Sequence, residues 1–228
     1  MSSNPNIPPL NPVPPVVVAL ALAIFAIEAA QYVWGLGLMG GTTGLDHHPE
    51  MIRDYGISGY LVSRMIELGR YPPEYLMRFV TYAFVHASFT HMLFACVLLL
   101  AFGKFVGEVM RPWAVLVVFF AASIIGALVY GLIIDSRMPL IGAYPGVYGL
   151  IGAFTFLLWV SLVSHGENGL AAFSMIGFLL LIQLVFGLFF GAGPDWIADV
   201  AGFVTGFVLS IFICTGGWAR VLQKLRRN

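Results

Sequence analysis

Charged residues divide this 228-residue chain into long segments that lack Asp, Glu, Lys and Arg. A helix needs about 20 mostly apolar residues to cross a bilayer, because it rises about 1.5 Å per residue and the hydrocarbon core is about 30 Å thick. A first apolar segment, from about residue 16 to 38, contains the single acid Glu28. Five charge-free segments are long enough to follow it: 79–103, 112–134, 138–166, 168–194 and 200–219. The pattern predicts an all-α integral membrane protein with six transmembrane helices.

The segment between the first two predicted spans, about residues 39–77, is far longer than an ordinary connection, whose median is about 4–6 residues. Within residues 57–68, apolar positions recur at helical spacing, with Ser63, Arg64 and Glu67 between them. We therefore predict a structured extracytoplasmic first loop that contains an amphipathic helix lying in the membrane interface.

The distribution of basic residues predicts the orientation of the chain. Lys and Arg are concentrated in residues 220–228, directly after the last span, and the positive-inside bias places that end in the cytoplasm. Six spans return the N-terminus to the same side, although the long loop also carries arginines, accompanied by acids. Residues 1–15 are rich in Pro and lack the basic start of a signal peptide. We expect a cytoplasmic Pro-rich tail over 1–15, a membrane domain over 16–219 and a basic cytoplasmic tail over 220–228.

Composition excludes several classes of protein. Hydrophobic residues make up 60% of the chain and charged residues 10%, against about 45–50% and about 25% in soluble domains. Eleven Lys and Arg balance eleven Asp and Glu, so no overall basic field favours binding to nucleic acid. The lipid bilayer is the expected environment, and a bacterial inner membrane suits the compact chain. We expect no nucleic-acid partner and no cofactor.

Three motifs fall at the openings of predicted spans or within them. Residues 78–91 read RFVTYAFVHASFTH and contain His86 and His91, residues 142–153 read GAYPGVYGLIGA, and residues 198–206 read ADVAGFVTG. In this order they resemble the H-x-x-x-x-H, G-x-S-G and A-H-x-x-G-x-x-x-G motifs of the rhomboid intramembrane serine proteases. The resemblance covers nearly the whole chain and implies a six-helix rhomboid-like bundle with a large first loop.

The match retains some family positions and loses others. Tyr148 matches the aromatic that in the family lies against the catalytic histidine. The other retained positions are His86, His91, Gly142, Gly202 and Gly206. The nucleophilic serine is replaced by Tyr144, which is followed by Pro145, and the histidine base is replaced by Asp199. The oxyanion-stabilising asparagine is replaced by Ala95.

These replacements remove the chemistry of acyl transfer. Such a reaction needs a nucleophile, a base within hydrogen-bond reach and donors for the oxyanion. A phenol with a pKa near 10 is not activated by a carboxylate with a pKa near 4 as imidazole activates serine. We expect no serine-protease activity. A hydrogen bond between Tyr144 and Asp199 is expected in place of the dyad, and the alternative is that Asp199 reaches water near Asp195.

Other polar residues have simpler interpretations. His86 and His91 lie about 140° apart around a helix and so do not share a metal-binding face, and we expect them to tie the long loop to the second helix. The His47-His48 pair is interpreted as part of a solvated loop, and no metal site is expected. Glu28 and Gln183 lie in predicted spans and need polar partners, either within the bundle or in another membrane protein. Both are therefore candidate contacts with clients or a membrane partner.

The sequence favours an inactive rhomboid-like protein, a pseudoprotease. By resemblance to other inactive members, it would bind transmembrane clients or a membrane partner and regulate their stability, trafficking or degradation without cleaving them. The alternatives are an active intramembrane hydrolase with a rebuilt site and a structural subunit of a membrane complex. A hetero-oligomer with a membrane partner is a candidate assembly.

Overall fold

The computed structural model describes residues 12–35, 48–190 and 193–214, which are mostly helical. The predicted basic tail, most of the predicted Pro-rich tail, and His47 lie outside the described residues. The α-helices are α1 (Pro15–Gly35), α2 (His48–Tyr55), α3 (Gly59–Leu68), α4 (Pro73–Leu76), α5 (Arg78–Thr81), α6 (Phe89–Val109), α7 (Pro112–Ile133), α8 (Tyr144–Ser164), α9 (Ser174–Phe190) and α10 (Trp196–Ile213). Two 3-10 helices, Tyr82–Phe84 and Gly169–Phe173, and two short strands, β1 (Ile57–Ser58) and β2 (Pro139–Leu140), complete the described elements.

Five described helices are long and apolar enough to cross a membrane: α1, α6, α7, α8 and α10. The fifth predicted segment contains α9, which has 17 residues and so extends about 25 Å. The second span begins at Phe89 rather than at residue 79, because Ser88 caps α6: its Oγ accepts a hydrogen bond from the His91 N–H at 3.2 Å. A scan for charges does not detect a neutral polar cap of this kind.

A helix is confirmed within the predicted segment 57–68: Ile57 and Ser58 form β1 instead, while α3 covers Gly59–Leu68. Ser58 caps its start by accepting a hydrogen bond from Leu61 N–H at 3.3 Å, and Gly69, with φ of 60°, ends it in the left-handed conformation that glycine tolerates. Its buried face packs against α7, where Val62 and Met65 join a cluster that includes Tyr130. β1 pairs antiparallel with β2, which further attaches this segment to the chain between α7 and α8.

Helices α8 and α10 pack in parallel at the centre of the bundle. A Cβ atom at Gly202 would overlap the Pro145 carbonyl oxygen, and one at Gly206 would overlap the Gly149 carbonyl oxygen. The small residues therefore bring the two backbones into direct contact, as small residues do between membrane helices. This contact places the first turns of α8 and α10, which contain Tyr144 and Asp199, at the same end of the bundle.

Candidate functional site: an intramembrane polar centre

A tight turn before α8 positions Tyr144. Gly142 has φ of 98°, a conformation that favours glycine, and its N–H donates to the Tyr82 carbonyl oxygen at 2.9 Å. A Cβ at Gly142 would lie 2.8 Å from Cε1 of His91, so the turn also needs glycine for space. Pro145 follows in the first turn of α8, where its missing N–H removes no helical hydrogen bond.

The ring of Tyr144 stacks on the ring of His91. Their centroids are 4.9 Å apart with an interplanar angle of 17°, and the Tyr144 hydroxyl donates to the His91 carbonyl oxygen at 3.3 Å. Nδ1 of His91 accepts a hydrogen bond from Ala87 N–H at 3.3 Å. Tyr144 is thus held against α6 by both a ring contact and a hydrogen bond.

His86 is fully buried beside this stack. Its Nε2 accepts a hydrogen bond from Ala143 N–H at 3.3 Å, and its ring meets the His91 ring edge-on at a centroid distance of 5.4 Å. Burial, reinforced by the neighbouring His91, lowers the pKa of His86 to about 4, so its imidazole is neutral at pH 7. We expected it to join the long loop to the second helix. Instead its hydrogen bond joins the segment before α6 to the turn before α8.

Asp199 lies in the first turn of α10 with 4% of its surface exposed. Nε2 of Gln183, on α9, donates a hydrogen bond to its Oδ2 at 2.8 Å. The predicted hydrogen bond between Tyr144 and Asp199 is therefore wrong. The reason is that the phenol is directed along His91, while the amide of Gln183 reaches the carboxylate from the facing helix. The burial of Asp199 also argues against the alternative in which it reaches water near Asp195.

The remaining predicted positions have mainly packing roles in this structure. Ala95 is fully buried in α6, Tyr148 is 4% exposed in α8, and Gly202 and Gly206 form the contact between α8 and α10. Glu28, a candidate contact either within the bundle or with another membrane protein, is 4% exposed. Gln183 is likewise engaged within the protein. The sequence identified Gln183 and Asp199 as polar residues within spans, but did not identify them as partners.

The bond between Gln183 and Asp199 can be tested by a double-mutant cycle. Asp199→Leu should destabilise the protein by about 1–3 kcal/mol, because it leaves the Gln183 amide buried without its acceptor. Asp199→Leu combined with Gln183→Leu should recover much of that loss, since an apolar pair leaves no polar group unsatisfied. Thermal unfolding of the four proteins in one detergent measures the coupling. Strictly additive effects of the two single substitutions would show that the side chains do not interact.

Taken together, the long apolar helices and the buried polar centre define a helical integral membrane protein. In a comparison with known protein families, residues 73–216 match the Rhomboid domain, which is more than half of the chain. The chain therefore belongs to the rhomboid family, and the resemblance in its motifs is confirmed. A search of curated proteins found no match.

Proposed function

We propose that this chain is a catalytically inactive rhomboid that binds transmembrane clients or a membrane partner and regulates their stability, trafficking or degradation. The observation that supports this proposal most strongly is the separation of the two former dyad positions. Tyr144 stacks on His91 of α6, and Asp199 accepts a hydrogen bond from Gln183 of α9. Neither residue engages the other.

The local chemistry agrees with a loss of catalysis. A nucleophile must transfer its proton to a base, but the Tyr144 hydroxyl donates to a backbone carbonyl oxygen, which does not take up a proton at neutral pH. Ala95, at the position of the family asparagine, has no hydrogen-bond donor on its side chain to stabilise an oxyanion. Two requirements of acyl transfer are therefore unmet in the same site.

Exposed apolar helix faces support the binding of membrane helices. On α6, Phe89, Phe94 and Val97 are each more than half exposed, and on α9 the same holds for Phe178 and Leu181. In a bilayer these faces contact lipid or another transmembrane helix. We further propose that α9 is the sixth span, that both termini are cytoplasmic and that residues 48–77 belong to an extracytoplasmic loop of a protein of the bacterial inner membrane.

A cleavage assay tests the loss of activity. The purified protein is reconstituted in liposomes with single-span substrates that an active rhomboid protease cleaves under the same conditions. We expect no product from the wild type, and none from Tyr144→Ser combined with Asp199→His, because Ala95 and Pro145 remain. Product that appears with the wild type and disappears with Tyr144→Phe or Asp199→Asn would favour a rebuilt hydrolase.

Quantitative purification separates client binding from a purely structural role. The tagged protein is isolated from its native membrane in mild detergent, and co-purifying membrane proteins are quantified by mass spectrometry. Several membrane proteins, each at substoichiometric amounts, are expected for transient client binding. A single partner at near-equal amount would instead identify a dedicated subunit or adaptor of a membrane complex.

A further inference from the structure

The buried carboxylate of Asp199 has a neutral partner. Its hydrogen bond comes from the amide of Gln183, and the ion pairs recorded in the described part of the chain join other residues: Arg53 with Asp54, Arg64 with Glu67 and Lys104 with Glu108. A carboxylate within the membrane is costly and usually pairs with another group in the bundle or cavity. An amide hydrogen-bonds to this carboxyl group but supplies no positive charge to stabilise its ionised form.

Beyond Gln183, the described side chains of the helix that covers Asp199 are exposed. Within the described residues, the backbone of α9 comes close chiefly to the 3-10 helix that precedes it. Ile176, in its first half, is 6% exposed, whereas Val185 and Phe189, after Gln183, are 43% and 74% exposed. Among the described residues, the bond to Asp199 links the second half of α9 to the central helices, and displacing α9 would open Asp199 to a neighbouring helix.

We propose that the clients bound by this protein are transmembrane helices that carry a Lys or Arg, and that this cation replaces the Gln183 amide on Asp199. This inference rests on the proposed function of client binding. An unpaired basic residue in hydrocarbon is as unfavourable as an unpaired acid, so an ion pair between the two removes both costs. The exposed apolar faces of α6 and α9 then contact the rest of the client.

The depth of Asp199 defines where the client's basic residue must lie. Asp199 is three residues after Trp196, the first residue of α10, and so lies about 4.5 Å along the helix axis from that end. Lys and Arg side chains extend along a helix by about one turn. The matching cation therefore belongs within about two turns of the client's end on the side of the membrane where α8 and α10 begin.

Photo-crosslinking to designed single-span helices in liposomes tests the proposal. The helices are Leu-rich and identical except at one position, near the matching end, which carries Lys, Gln or Leu; a fourth helix carries Lys near the opposite end. We expect the Lys helix with the matching depth to crosslink about tenfold more than the Leu helix. Asp199→Asn keeps an acceptor for Gln183, and it should reduce crosslinking of the Lys helix to the amount seen with the Leu helix.

Two further variants sharpen the result. Asp195→Asn removes an exposed carboxylate four residues earlier and should leave capture of the Lys helix unchanged. Gln183→Leu removes the competing amide and should increase that capture. Equal capture of the Lys, Gln and Leu helices, or an equal loss with Asp195→Asn, would overturn the inference while leaving client binding intact. Failure to capture any of the helices would count against the proposed function itself.

Discussion

Gly206→Ala is expected to lower the stability of the membrane domain by about 3 kcal/mol or more, at the upper end of the usual cost of overpacking. The added Cβ would overlap the carbonyl oxygen of Gly149 and lie 2.5 Å from its carbonyl carbon and 2.7 Å from its Cα. All three are backbone atoms, so no side-chain rotation relieves the overlap and α8 must move away from α10. Thermal unfolding in detergent, followed by circular dichroism, measures the loss.

Gly177→Ala provides the matched control for this prediction. Gly177 also lies within a helix, α9, but a Cβ there would meet no atom within 4 Å. Alanine is a better helix former than glycine by about 1 kcal/mol, so the substitution should be neutral or slightly stabilising. If both variants unfold at the wild-type temperature, α8 and α10 are not in backbone contact at Gly149 and Gly206.

The sequence predicts much of this fold because its main features are set by local patterns. The lengths of the apolar segments identify the spanning helices, and the spacing of Gly202 and Gly206 indicates a close helix contact. The start of α6 is not predictable from charge alone, because the neutral residues before Ser88 form a 3-10 helix and an extended segment instead of extending the helix. The length of α9 is not predictable from charge either, because the charge-free segment 168–194 is longer than this 17-residue helix.

The site is less predictable, because the partners of its residues come from distant helices. Motif alignment selects Tyr144 and Asp199, and the structure places both at one end of the central helix pair. It does not reveal that Tyr144 turns toward His91 on α6, or that Gln183 on α9 reaches Asp199. These choices depend on side-chain size and direction: the tyrosine ring is long enough to reach His91 and stack on it.

The contribution of His86 to the free energy of unfolding is expected to fall steeply between about pH 6.5 and pH 4. In the folded protein, burial and the neighbouring His91 lower the pKa of His86 to about 4, whereas an unfolded histidine titrates near 6.5. Below pH 6.5 the unfolded chain therefore binds a proton that the folded chain does not. The contribution of this neutral histidine to the free energy of unfolding is fully present above pH 6.5. About 3 kcal/mol of that contribution is lost once the pH has fallen to the pKa of His86 in the folded protein.

Comparing wild type with His86→Gln isolates this contribution. Glutamine has an oxygen that can accept the Ala143 N–H but does not titrate, so the variant should lose less stability than the wild type between pH 7.5 and pH 4.5. His165→Gln serves as a matched control, because this histidine is exposed at the end of α8 and should leave the wild-type dependence in place. Identical pH profiles for wild type and His86→Gln would mean that His86 is not held neutral in the folded state.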